Sequence, residues 1–214
     1  MPIEHGRYLA EQIPGAKLLE LPGLEPSLIW EDQQLAVDHL EEFLTGIRHG
    51  PEPTRVLAAV LFTDIVGSTE QAGRLGDRRW RELLNVHDEL AGRLVEETGG
   101  RLIKTTGDGI LATFDGPGRG IHCAAALRNQ LRGIGVELRA GLHIGEVELR
   151  DGDVGGMAVH VAARIMAAAG AGEILTSRTV RDLMVGSDVA LEPRGFQPLK
   201  GIEGSWDLFI VSRA

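Results

Sequence analysis

Residues 56–62 read VLAAVLF, and residues 61–69 continue as LFTDIVGST. Seven apolar residues in a row, bounded by turn formers, have the length of a strand covered on both faces rather than of a buried helix. Asp64 follows this run directly, with Gly67 three residues further on. A carboxylate placed there is held rigidly at a sheet edge, where a ligand can reach it. Taken alone, such an aspartate reads as an N-cap or turn residue.

Outward from that strand the pattern alternates. Trp80, Leu83, Leu84, His87, Leu90 and Leu94 recur at helical spacing, and Gly99 and Gly100 stop the helix. RLIKTTGDGILATF (101–114) reads as two strands joined by a turn at Gly107, Asp108 and Gly109. The pattern then predicts a helix over 118–132, strands over 136–143 and 145–149, and a helix over 156–169. GEILTS, a helix over 178–184 and two strands complete the chain. The order βαββαβ with additions predicts an α+β fold, a ferredoxin-like sandwich of one sheet faced by helices.

Composition narrows the classes. With 22 Lys and Arg against 31 Asp and Glu, the net charge is -9, which argues against a nucleic-acid partner. Hydrophobic residues are 43% and charged residues 25%, a balance that can bury a core. No apolar run approaches the roughly 20 residues of a membrane span, and the first thirty residues lack a signal pattern, so the expectation is a soluble, cytoplasmic protein with no membrane partner. Cys123 is the one cysteine; in IHCAAAL it reads as a buried, inert thiol. Of the 22 basic residues only Lys17, Lys104 and Lys200 are lysine, which leaves 19 arginines. A lysine that persists in so arginine-rich a chain points to a need for a compact donor.

Residues 1–51 read as an appendage and linker, and 52–214 as the main domain. GRYLAEQIPGAKLLELPG suggests a short helix, a Pro-Gly turn and a strand. Leu35, Val37, Leu40, Phe43 and Leu44 suggest a second helix ended by Gly46, and IRHGPEPTR a linker. The segment resembles the C-terminal end of an α/β-hydrolase, but its loop, Leu24 to Ser27, holds no histidine, and no G-x-S-x-G occurs in the chain.

Asp108 changes the reading of Asp64. It lies in TGDG, a turn whose glycines allow close approach of backbone and ligand. Two carboxylates on the ends of neighbouring strands suit a hard divalent cation and phosphate. His160 and Arg164, four apart, project from one helix face. Without further context Lys104 reads as a strand lysine, Asp153 as a surface turn and Arg164 as a solvated charge. His87 and His122 read as core or boundary residues, and His143 as structural. The glycine after Asp64, in VGSTE, suits backbone N–H contacts to phosphate at the next helix start, or a plain turn.

FTDIVGST, IKTTGDG, the run from Asp153 through GGMAVHVAAR, and PLKG before a closing strand together resemble the class III adenylyl and guanylyl cyclase catalytic domain, across residues 55–213. The resemblance implies a homodimer with two active sites at its interface, each taking metal carboxylates from one chain and base and phosphate contacts from the other. It implies Asp64, Asp108 and the Ile65 carbonyl as ligands of two Mg²⁺ or Mn²⁺ ions, and Lys104 with Asp153 as the purine contacts. It also implies Arg164 as the transition-state arginine and Lys200 as the grip on the terminal phosphates. His160 stands where the family usually has asparagine; imidazole can also donate to the ribose, though its charge varies near neutral pH. The implied reaction is ATP to cyclic AMP and pyrophosphate. The alternatives are a guanylyl or relaxed-specificity cyclase and a cyclase fold that binds without chemistry.

Overall fold

The computed structural model describes residues 3–16, 18, 20, 40, 42–46, 54–150 and 152–214. Two compact units form, Met1–Glu52 and Pro53–Ala214. In the first, α1 (Ile3–Gln12) has no buried residue and is followed by a turn through Pro14 and Gly15. Arg7 pairs with Glu20 at 2.6 and 2.9 Å. The Leu24 to Ser27 loop, most of the helix expected near 35–44 and the linker over 47–53 lie outside the described residues, as does most of the strand expected before them.

In the second unit the order is β1 (Arg55–Ile65), α2 (Ser68–Leu75), α3 (Asp77–Glu97), β2 (Arg101–Thr105), β3 (Ile110–Phe114), α4 (Pro117–Gly133) and β4 (Leu138–Arg150). There follow β5 (Asp153–Gly155), α5 (Met157–Ala168), β6 (Ile174–Ser177), α6 (Arg178–Leu183), β7 (Ala190–Pro198) and β8 (Ser205–Arg213). One sheet runs β2-β3-β1-β4-β6-β8-β7, with β5 paired to β4. Its first four strands are antiparallel in the ferredoxin-like order, so the predicted α+β core is present.

Burial explains the deciding run. On one sheet face Ala59, Leu61 and Ile65 pack against Ala91, Leu94 and Val95 of α3 and Ile121, Ala124 and Leu127 of α4. On the other, Ala58 and Val60 meet Leu111, Val147 and Ala158 and Ala162 of α5. With helices on both faces, both sets of alternating side chains must be apolar. Cys123 is fully buried, and burial pushes its thiol pKa up, as an inert core thiol requires.

Four expectations need correction. Val56 and Leu57 are 36% and 66% exposed, because the run begins before the helices cover the sheet. The strand extends to Ile65, since β4 continues beside it as far as Leu138; Asp64 is therefore the penultimate residue of β1, not a residue beyond it. The two strands expected over 136–143 and 145–149 are one strand, Leu138–Arg150. Gly145 reads as a break, but its lack of a side chain serves packing: a Cβ there would stand 2.9 Å from the Ala158 Cβ. His122 is exposed on α4 rather than part of the core.

Candidate active site

Three elements converge at the end of β1. The turn between β2 and β3 is tied to it by Ile65 N–H donating to the Asp108 carbonyl at 2.9 Å. Gly109 lies flat against the strand, where a Cβ would come 1.9 Å from the Thr63 carbonyl oxygen. The Thr63 hydroxyl, fully buried, accepts from Ile110 N–H at 3.2 Å. Gly107, at φ 99°, supplies the turn conformation that an L side chain resists. These contacts bring Asp64 and Asp108 together, as the sequence anticipates.

The electrostatics follow from that closeness. Burial raises the Asp64 pKa first, and the neighbouring Asp108 carboxylate raises it further, while the Arg139 guanidinium opposes both. Two carboxylates held in repulsion are a hard oxygen set with charge left to neutralise, which fits divalent ions. No group of three or more His, Cys, Asp or Glu side chains suited to a metal forms among the described residues. Ions held here would thus complete their shells with backbone, water or substrate oxygens. Ile65 is buried in the core through its side chain, so only its backbone can serve.

Lys104 and Asp153 meet directly. Lys104 Nζ donates to Asp153 Oδ2 at 2.5 Å, and Val154 N–H donates to Asp153 Oδ1 at 2.8 Å. Both bonds hold the Asp153 pKa below the usual range, that from Lys104 foremost. The two side chains are 49% and 52% exposed, so the pair adds little to stability and stays open to a ligand.

His160 and Arg164 are exposed on α5, and Lys200 is exposed beyond β7. Among the described residues none of the three side chains has a hydrogen bond or ion pair within the chain. Their face of α5 is fixed because Ala158 and Ala162, on its opposite side, pack on Ala58 and Val60, and Val161 and Ile165, on its flank, pack on Leu175, Leu199 and Leu208. Gly67, with φ 66°, starts α2 directly after β1, so that helix opens beside Asp64.

One residue was not legible as a site neighbour. Arg139 faces Asp64 across the β1–β4 ladder and pairs with it, with Nε donating to Oδ2 at 2.7 Å. A charged residue between apolar neighbours at the start of the strand, in LRAGL, was the available signal. His143 is buried, with Nδ1 2.8 Å from Ser177 Oγ and its ring edge-on to Trp206, and has the structural role expected. It lines a cleft of about 430 Å³ with Gly145, Met157, Val161 and Trp206, which includes none of the predicted site residues.

An antiparallel core with paired carboxylates at joined strand ends is the layout of a class III nucleotidyl cyclase catalytic domain. The family model for the adenylate and guanylate cyclase catalytic domain matches residues 54–213, and the chain belongs to that family. The protein named "Putative adenylate cyclase 3" of Rhizobium meliloti (strain 1021) is 32% identical over an alignment of 169 residues that covers 70% of this chain and 27% of that protein. Among solved structures, the adenylyl cyclase CyaB from P. aeruginosa is 25% identical with a TM-score of 0.65, over 76% of this chain and 97% of that one. The adenylate/guanylate cyclase/hydrolase from Silicibacter pomeroyi is 27% identical with a TM-score of 0.65, over 76% and 100%. The chain spans about a quarter of the length of the first curated relatives it matches, at 27% and 20%.

Proposed function

We propose that this chain is an adenylyl cyclase that converts ATP to cyclic AMP and pyrophosphate at sites shared across a homodimer. Asp64 and Asp108, with the Ile65 carbonyl, are the residues that would hold two Mg²⁺ or Mn²⁺ ions. Ions bound there would lower the pKa of the ribose 3′-hydroxyl and neutralise charge on the departing pyrophosphate. The observation that carries the reading is the juncture of Asp64 and Asp108, locked by the Ile65 to Asp108 backbone bond, within a domain that matches the family from end to end.

The remaining roles are those the family resemblance implies, and each suits the chemistry of its side chain. The Lys104 ammonium donates to adenine N1, and the Asp153 carboxylate accepts from its N6 amino group. Guanine would set its O6 acceptor against the Asp153 acceptors, and an unpaired polar contact of this kind discriminates strongly. Arg164 binds charge that develops on the α-phosphate, and His160 donates to the ribose. Lys200 holds the terminal phosphates as a point charge. In one chain, the side chains of Arg164, His160 and Lys200 are exposed and unpaired among the described residues, which suits groups that serve a nucleotide held at a neighbour's carboxylates. Residues 1–51 we read as a hydrolase-tail-like appendage outside the catalytic domain.

Parallel product assays with ATP and GTP, in Mg²⁺ and in Mn²⁺, test the specificity. Wild type should favour ATP by at least tenfold, and Lys104→Glu with Asp153→Cys should erode that ratio; an unchanged ratio would refute the base contacts.

A further inference from the structure

Arg139 stands opposite Asp64 in the β1–β4 register. Both its Nε and its Nη2 donate to one atom, Asp64 Oδ2. The side chains are 34% and 16% exposed, so water screens the pair only in part. An arginine that serves to aim a carboxylate commonly spreads its fork over both oxygens. Here the fork converges on one oxygen and leaves Oδ1 without a hydrogen bond from Arg139. These bonds occupy lone pairs on Oδ2, so an ion sharing this carboxylate is left Oδ1 alone or must displace the guanidinium, whose charge repels an approaching cation.

We propose that Arg139 is an internal counter-cation that competes with divalent ions for Asp64 and keeps the ion affinity of the nucleotide-free site low. It relieves the repulsion between Asp64 and Asp108 while the site lacks an ion, and it yields Oδ2 when an ion arrives. The consequence is a site that fills readily only when a nucleotide brings further anionic ligands. This inference rests on the reading of Asp64 and Asp108 as metal ligands.

The test is the binding of Mn²⁺ alone to the full chain, without nucleotide, read from the electron paramagnetic resonance signal of free Mn²⁺. Arg139→Gln removes the charge and should tighten Mn²⁺ at least tenfold relative to wild type. Arg139→Lys keeps the charge but donates through one nitrogen, and should fall between the two. If Arg139→Gln does not fold, as judged by circular dichroism, Arg139→Lys decides alone. Binding equal to or weaker than wild type in the deciding variant overturns the proposal, because a residue that merely aimed Asp64 would weaken Mn²⁺ when lost. Asp108→Asn separates the two readings: it should weaken Mn²⁺, and binding unaffected by it would show that the metal reading itself has failed.

Discussion

His143 shows how much one side chain can owe to its surroundings. Burial pushes its pKa down to about 4, so the folded protein holds the ring neutral against Ser177 and Trp206. In the unfolded chain the ring titrates near its ordinary value of about 6.5. Between those values the unfolded state binds the proton and the folded state does not, so stability falls as pH drops from about 6.5 to about 4. The loss from this group approaches about 3 kcal/mol at the acid end of that window. Denaturant midpoints at pH 7 and pH 4.5 should therefore diverge more in wild type than in His143→Leu. An equal acid loss in both would show that the ring carries no such burden.

The element that depends most on a single atom is α5. A Cβ on Gly141 would lie 2.1 Å from the Met166 backbone nitrogen and 2.8 Å from the Ala162 carbonyl oxygen. Backbone cannot rotate aside as a side chain does, so Gly141→Ala must push the whole helix away from β4. Overpacking of this kind costs about 1–3 kcal/mol. For a domain of this size that is a fall in Tm of roughly 2–10 °C, measurable by calorimetry. Because α5 also carries His160 and Arg164, cyclase turnover should fall by a larger factor than the stability loss alone would produce at 25 °C. Unaltered Tm and turnover together would contradict the observed packing. The same logic makes Gly109 the hinge of the carboxylate pair, since any side chain there collides with the Thr63 carbonyl.

At the scale of the molecule, the Asp64 and Asp108 carboxylates share no hydrogen bond or ion pair with Arg164 or Lys200 among the described residues. Asp64 lies at the end of β1 and Asp108 in the β2–β3 turn tied to it; the side chains of Arg164 and Lys200 are exposed and, among the described residues, unpaired. If a second copy completes the site, Asp108→Ala and Arg164→Ala, each inactive alone, should restore activity when mixed, because one of the two sites in the heterodimer then has all its parts. The yield should approach about a quarter of wild type, from half the pairs being mixed and one site in each being intact. Absence of rescue in a heterodimer shown to form would count decisively against shared sites. No helix among the described residues is long and apolar enough to cross a membrane.

Much of this was legible from residue order. VLAAVLF announced a strand with both faces covered, because a side chain's polarity must match the surface it meets whatever the rest of the fold does. TGDG announced its turn, because glycine alone relieves the steric limit at Gly107. Spacing of four placed His160 and Arg164 on one helix face. Register was not legible. That Asp64 lies inside β1 and faces Arg139, that Gly145 is a contact rather than a break, and that β5 pairs back on β4 all depend on which strand lies beside which. Those neighbours are remote in the chain: Asp64 and Arg139 are 75 residues apart. Local chemistry along the chain determined the elements and the candidate ligands. Only tertiary packing, which matches whole faces at once, decided the counter-charge of Asp64 and the glycines on which α5 rests.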